Sequence, residues 1–163
     1  MTFTPAEDTT VQSAHRRRAP AGSSMLRLGL LALVAIGIAG AAAELAFERH
    51  WGSPTQLIPW VTLTLLTVAL LLVAISDSTG TRTVVRVLAL VVLLAAAYGV
   101  FTHVSVNHGM GAMDPAWDSM SAPAQWWSAL TKSVGNAPPL APGMLAQSAL
   151  LLLLATTVRR PAK

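Results

Sequence analysis

Long apolar runs alternate with short polar segments along the chain. Residues 28–47, 57–76, 84–102 and 142–158 are almost unbroken Leu, Val, Ala, Ile and Gly. They do not switch between apolar and polar at every second position, as the strands of a membrane barrel would. A helix crossing the hydrocarbon core needs about 20 apolar residues, with a tolerated range of about 17–25. The pattern therefore predicts an all-α integral membrane bundle of four transmembrane helices. The connections are 48–56, 77–83 and 103–141. The last is far longer than an ordinary helix–helix turn. Within it, "APAQWWSALTKSV" suits a short interfacial helix with Trp126, Leu130 and Val134 on one side. "GNAPPLAPG" then breaks regular structure before Pro142 opens the last span. Residues 1–24 are polar and without apolar period, too poor in apolar surface to fold, and read as a disordered cytoplasmic tail. The transmembrane domain is 25–160.

Direction comes from the cations. Arg16, Arg17, Arg18 and Arg27 precede the first run, Arg82 and Arg86 lie between the second and third, and Arg159, Arg160 and Lys163 follow the fourth. Only Arg49 and Lys132 fall on the other side. Lys and Arg favour the cytoplasmic face, so both termini are expected in the cytoplasm of a bacterial plasma (inner) membrane, with 103–141 outside. "AGAAAE" after an apolar core also resembles a signal-peptide cleavage site, but the preceding segment is long and the run continues through "LAF". Cleavage would leave the direction of the other three spans unchanged.

Composition supports the membrane class. The 163 residues are 53% hydrophobic and 11% charged, with mean hydropathy +0.57, whereas soluble domains carry about 25% charged residues. The net charge of +4 has its use at the span ends, so nucleic acid is not an expected partner. There is no cysteine, which excludes disulfides, thiolate nucleophiles and Cys-ligated metal.

Three stretches carry a resemblance: "AELAFERHWGSPTQLIPW", "YGVFTHVSVNHG" and "GNAPPLAPGMLAQSALLLLL". Over roughly residues 40–158 the chain resembles a group of small, uncharacterised four-span bacterial membrane proteins. Their outer loop ends in a similar G-x-A-P-x-L-A-P-G stretch. The matching residues are Gly135, Ala137, Pro138, Leu140, Ala141, Pro142, Gly143 and Gln147, with Glu44, Glu48 and His50 for E-x-x-x-E-x-H and His103 and Asn107 for H-x-x-x-N. The resemblance implies the four-span fold and brings no activity. It covers His103 and Asn107 but not His108, Met110 or Met113, where the group has acidic and apolar residues.

Candidate chemistry gathers at the outer membrane edge. Glu44 and Glu48 are four apart and share a helix face. With His50, His103 and Asn107 they form a polar cluster. An ionisable group at the edge of the hydrocarbon is costly unless paired, so an ion pair or hydrogen bond from Glu44 to His103 or Arg49 is expected before a proton or cation site. A soft metal ion would favour the imidazoles of His103 and His108 and the thioethers of Met110 and Met113. On a helix the two imidazoles lie about 140° apart, so they chelate only if the helix ends between them. Asp114 and Asp118 read as a solvated turn. Gly37 and Ala41 suggest close helix packing, within the chain or between copies. No nucleophile elbow or phosphate loop is present. The expectation is a non-catalytic plasma-membrane protein without cofactor: an accessory or interaction subunit whose outer loop meets a membrane-protein partner or a second copy. The alternative is metal or cation handling at the outer face.

Overall fold

The computed structural model describes residues 21–158. The disordered tail expected over 1–24 falls largely on residues outside that range, as do Arg16, Arg17, Arg18, Arg159, Arg160 and Lys163. Five α-helices make up the fold: α1 (Ala21–Phe47), α2 (Pro54–Ile75), α3 (Thr79–Gly109), α4 (Ala122–Leu130) and α5 (Gly143–Ala155). Two single-turn 3-10 segments, Gly111–Met113 and Trp117–Ser119, link α3 to α4. Helix α1 starts at Ala21, four residues inside the segment read as tail.

By length and composition α1, α2 and α3 can each cross a membrane, so the chain is a multi-pass membrane protein. The last apolar run differs from expectation. Its helix is 13 residues long rather than filling 142–158, and at 1.5 Å per residue it rises only about 20 Å. Pro142 and the turn from Thr156 bound it at either end.

α1 packs on α2 and α5, and α3 packs on the same two helices, so the order around the bundle is α1–α2–α3–α5. α2 also meets α5 across the centre. Val34, Leu66, Val73, Val85, Val92 and Leu152 are fully buried there. Helices in lipid associate through close packing rather than through water exclusion, and two glycines set how close they come. A Cβ on Gly37 would lie 2.6 Å from Ser148 Oγ, so α1 and α5 touch through that point. Ala41, one turn on, is buried as well. The small-residue pair is thus spent within the chain. At Gly99 a Cβ would lie 2.9 Å from the Pro142 ring, which seats the start of α5 against α3.

The end of the bundle carrying the α2–α3 hairpin is held by charge. Arg27 is only 4% exposed. It donates to the Val73 carbonyl and lies 3.8 Å from Asp77 Oδ1. Arg82 Nε donates to the same carboxylate at 3.2 Å and its Nη2 to the Asp77 carbonyl at 3.0 Å. Arg86 Nε donates to Thr156 Oγ1 at 3.0 Å, tying α3 to the end of α5. One carboxylate therefore joins three helices.

At the opposite end, α2 begins at Pro54, earlier than the expected 57. Ser53 caps it by accepting from Gln56 N–H, while Gln56 Oε1 accepts from Gly52 N–H at 2.6 Å. This is a variant of the reciprocal capping box. Pro59 consequently lies inside the helix rather than in its first turn. Thr62, Thr64 and Thr67 donate their hydroxyls to the carbonyls four residues back, the usual way such groups are satisfied in lipid. The larger departure is α3. It does not stop at Thr102 but continues to Gly109.

Candidate functional site

The extension of α3 carries His103, Asn107 and His108 as helical residues, and the 110–142 segment folds back onto it. Asn107 is fully buried. Its Nδ2 donates to the carbonyls of Ala129 at 3.1 Å and Ala137 at 2.8 Å, and its Oδ1 accepts from Ala137 N–H at 2.9 Å. Both amide hydrogens and the oxygen are thereby used. One turn earlier on the same face, His103 Nδ1 pairs with the Pro138 carbonyl at 2.6 Å. The ring must carry its proton on Nδ1 for that bond, since a carbonyl only accepts.

Gly135 has φ +76°, and a Cβ there would lie 2.3 Å from Asn107 Oδ1 and 2.7 Å from Asn107 Cα. Only glycine accepts both the left-handed backbone and the approach. Gly135, Ala137, Pro138 and Pro142 of the "GNAPPLAPG" stretch are thus the residues that meet α3, through Asn107, His103 and Gly99. The stretch that breaks regular structure is the seam that closes the loop.

His108 points elsewhere. Its ring stacks on Trp126 (centroids 4.3 Å, 26° between planes) and meets the edge of Trp117 at 5.0 Å. Trp117 lies directly on Gly111, where a Cβ would be 2.1 Å from the indole. Val104, Trp117, Ala129 and Val134 make a second small core between α3 and α4. Gln125 Nε2 donates to the Trp117 carbonyl at 3.0 Å. α4 is therefore docked on α3 through Ala129, which is fully buried, with Trp126 at its edge. Val134 lies beyond the helix that was expected to include it. Asp114 Oδ1 accepts from Ala116 N–H at 2.9 Å, closing the turn at the Pro115 corner.

The candidate metal ligands are dispersed by this arrangement. The helix does not end between His103 and His108, so their rings face about 140° apart, one toward Pro138 and one between two indoles. Met113 is exposed. Met110 and Met113 line a separate hollow of ≈ 390 Å³ with Asp114 and Val134. Among the described residues no three His, Cys, Asp or Glu side chains converge as metal ligands would.

The acidic part of the polar cluster also differs from expectation. Glu44 forms no ion pair among the described residues, where one with His103 or Arg49 was expected. Instead it lines a cleft of ≈ 660 Å³ beneath α4, with Lys132, Trp127 and Leu140 among the walls. Glu48 is exposed on the turn after α1. His50 is half-buried in that turn. Burial holds its pKa below the ordinary 6.5, the nearby His103 lowers it further, and Glu48 partly opposes both. The His50 carbonyl accepts from Trp60 Nε1 at 2.8 Å, and Trp60 leans on Trp51 at 6.3 Å.

No family model, curated protein or solved structure matches this chain.

The most connected residue of the site, Asn107, was legible only as a neighbour of His103 at helical spacing. The tryptophan cage around His108 was not anticipated. Its signal was the recurrence of Trp117 and Trp126 within one loop, of which Trp126 reads from the sequence as part of an interfacial helix.

Proposed function

We propose that this protein is a non-catalytic accessory subunit of a bacterial plasma membrane, with both termini cytoplasmic and the 110–142 segment outside. Helix α5 is its fourth span. The orientation rests on the distribution of Lys and Arg. The fourth span is supported by α5 lying between α1 and α3 at the heart of the bundle. The observation that carries the functional reading is the stapling of the outer loop. Three hydrogen bonds from Asn107, one from His103 and a packed indole cage hold about thirty residues in one shape. A loop ordered in advance loses less entropy when a partner docks, and its outermost residues, Met113, Pro115 and Asp118, are exposed. The protein partner docks on that water-facing surface. Metal handling through His103, His108, Met110 and Met113 is the weaker reading, because each imidazole already has a different occupant.

A photo-crosslinking amino acid at Met113 or Asp118, in cells, tests the reading. A discrete adduct with one other membrane protein is expected at these positions, absent when the probe is at the lipid-facing Leu94, and reduced when Asn107→Ala releases the loop. Adducts to this chain alone, or to none, would rule out the accessory reading.

A further inference from the structure

The cleft under α4 joins two features that its surroundings leave unexplained. Glu44 and Lys132 carry opposite charges and line the same cleft, yet they form no ion pair with each other among the described residues. The walls between them are apolar: Trp127, Leu130, Pro138 and Leu140, with Trp127 66% and Leu140 72% exposed. Glu44 stands one turn inside the end of α1, which on the proposed topology is where hydrocarbon gives way to headgroups and an unpaired carboxylate is unfavourable. Lys132 adopts φ +58° just past the end of α4, a left-handed position usually left to glycine or asparagine. A carboxylate able to pair with an ammonium and a lysine able to pair with a phosphate, on one cleft lined by tryptophan and proline, are the complement of a zwitterionic lipid headgroup.

We infer that this cleft seats one phospholipid bearing a primary amine. The lipid's ammonium donates to the Glu44 carboxylate, its phosphate meets Lys132, and its upper chain lies along Trp127 and Leu140. A carboxylate recognises an N–H donor by charge-assisted hydrogen bonds, which a quaternary ammonium cannot make. Charge complementarity with a spaced cation–anion pair sets this occupant apart from an anionic lipid, which would satisfy Lys132 and repel Glu44. The inference stands on the membrane setting of the cleft and does not require a protein partner on the outer surface.

The full-length protein in mild detergent, titrated with phosphatidylethanolamine, phosphatidylcholine and phosphatidylglycerol of identical chains and read by native mass spectrometry, tests it. One phosphatidylethanolamine should be retained about fivefold more than phosphatidylcholine, the ratio that one net hydrogen bond supplies. Glu44→Gln should erase that preference, and Lys132→Gln should weaken both lipids together. Both residues are exposed, so the variants should fold, and unchanged helical circular dichroism verifies it. Equal retention of the two lipids, a preference that survives Glu44→Gln, or phosphatidylglycerol retained best would each overturn the assignment. Location is tested separately with brominated phosphatidylethanolamine. Quenching should fall in Trp127→Phe relative to the unaltered chain, and quenching independent of Trp127 would put the lipid elsewhere and overturn the site.

Discussion

Asn107 is one side chain holding the Ala129 carbonyl of α4, 22 residues on, and the carbonyl and N–H of Ala137, 30 residues on. Replacing it with Ala removes all three bonds and leaves the half-buried carbonyl and N–H of Ala137 without that partner, at about 1–3 kcal/mol each, while the Ala129 carbonyl still accepts from Lys132 N–H. Asn107→Ala should therefore destabilise the folded loop by about 3 kcal/mol, with no more than about 1 for His103→Ala, whose single bond is half-exposed. Limited proteolysis within 131–139 should be accelerated in that order, and equal cleavage of both variants would show the staple to be spread elsewhere. His50 supplies a pH dependence. Its pKa in the folded chain lies below 6.5, so the unfolded chain takes up the proton first as pH falls. The stability tied to neutral His50 is present above pH 6.5 and is lost as pH drops below it toward the folded value. The thermal midpoint in detergent should fall between pH 7.5 and pH 5.5, and His50→Gln should flatten that fall. His103 and Asn107 could be seen as partners from their spacing of four. That their partners are backbone groups of Ala129, Ala137 and Pro138 could not, because nothing local links these segments.

At the scale of elements, α1, α2 and the body of α3 were legible because each is a continuous apolar run of spanning length. The last two turns of α3 were not. "HVSVNHG" is polar enough to end a hydropathy window, and it stays helical because α4 and the loop cover it and pair with His103 and Asn107. Arg27 was read as a marker of direction and is also a buried clamp, since its partners Val73 and Asp77 lie at the far end of α2. A buried cation left without its carboxylate is destabilising by about 3–5 kcal/mol. Asp77→Ala should therefore lower the thermal midpoint far more than Arg82→Ala, whose loss leaves the Arg27–Asp77 pair intact. Similar shifts for the two would mean that Arg27 draws no net stability from Asp77. The contact of α1 with α5 gives a second prediction. Gly37→Val puts bulk where Ser148 Oγ already stands, and overpacking of this kind costs about 1–3 kcal/mol. Gly37→Val paired with Ser148→Ala should recover part of that loss, and no recovery would argue against direct contact.

For the whole molecule, the two ends are built from different materials. One is drawn together by guanidinium and carboxylate groups, the other by an amide, two imidazoles and indoles. Reporter fusions should distinguish their compartments: cytoplasmic signal at Ser78 and Lys163, external signal near Asp118. A cytoplasmic signal at 118 would reverse the orientation proposed. On the four-span reading, the shortness of α5 has a consequence for the membrane itself. A helix rising about 20 Å in hydrocarbon about 30 Å thick leaves the polar turns at Pro142 and the exposed Thr157 within reach of lipid tails, unless the bilayer dimples toward them. Such mismatch is modest in energy per ångström yet is enough to sort proteins between membranes. On that reading the bilayer is expected to thin locally beside the exposed Leu150 and Leu154 of α5, and not around the longer α1 and α3.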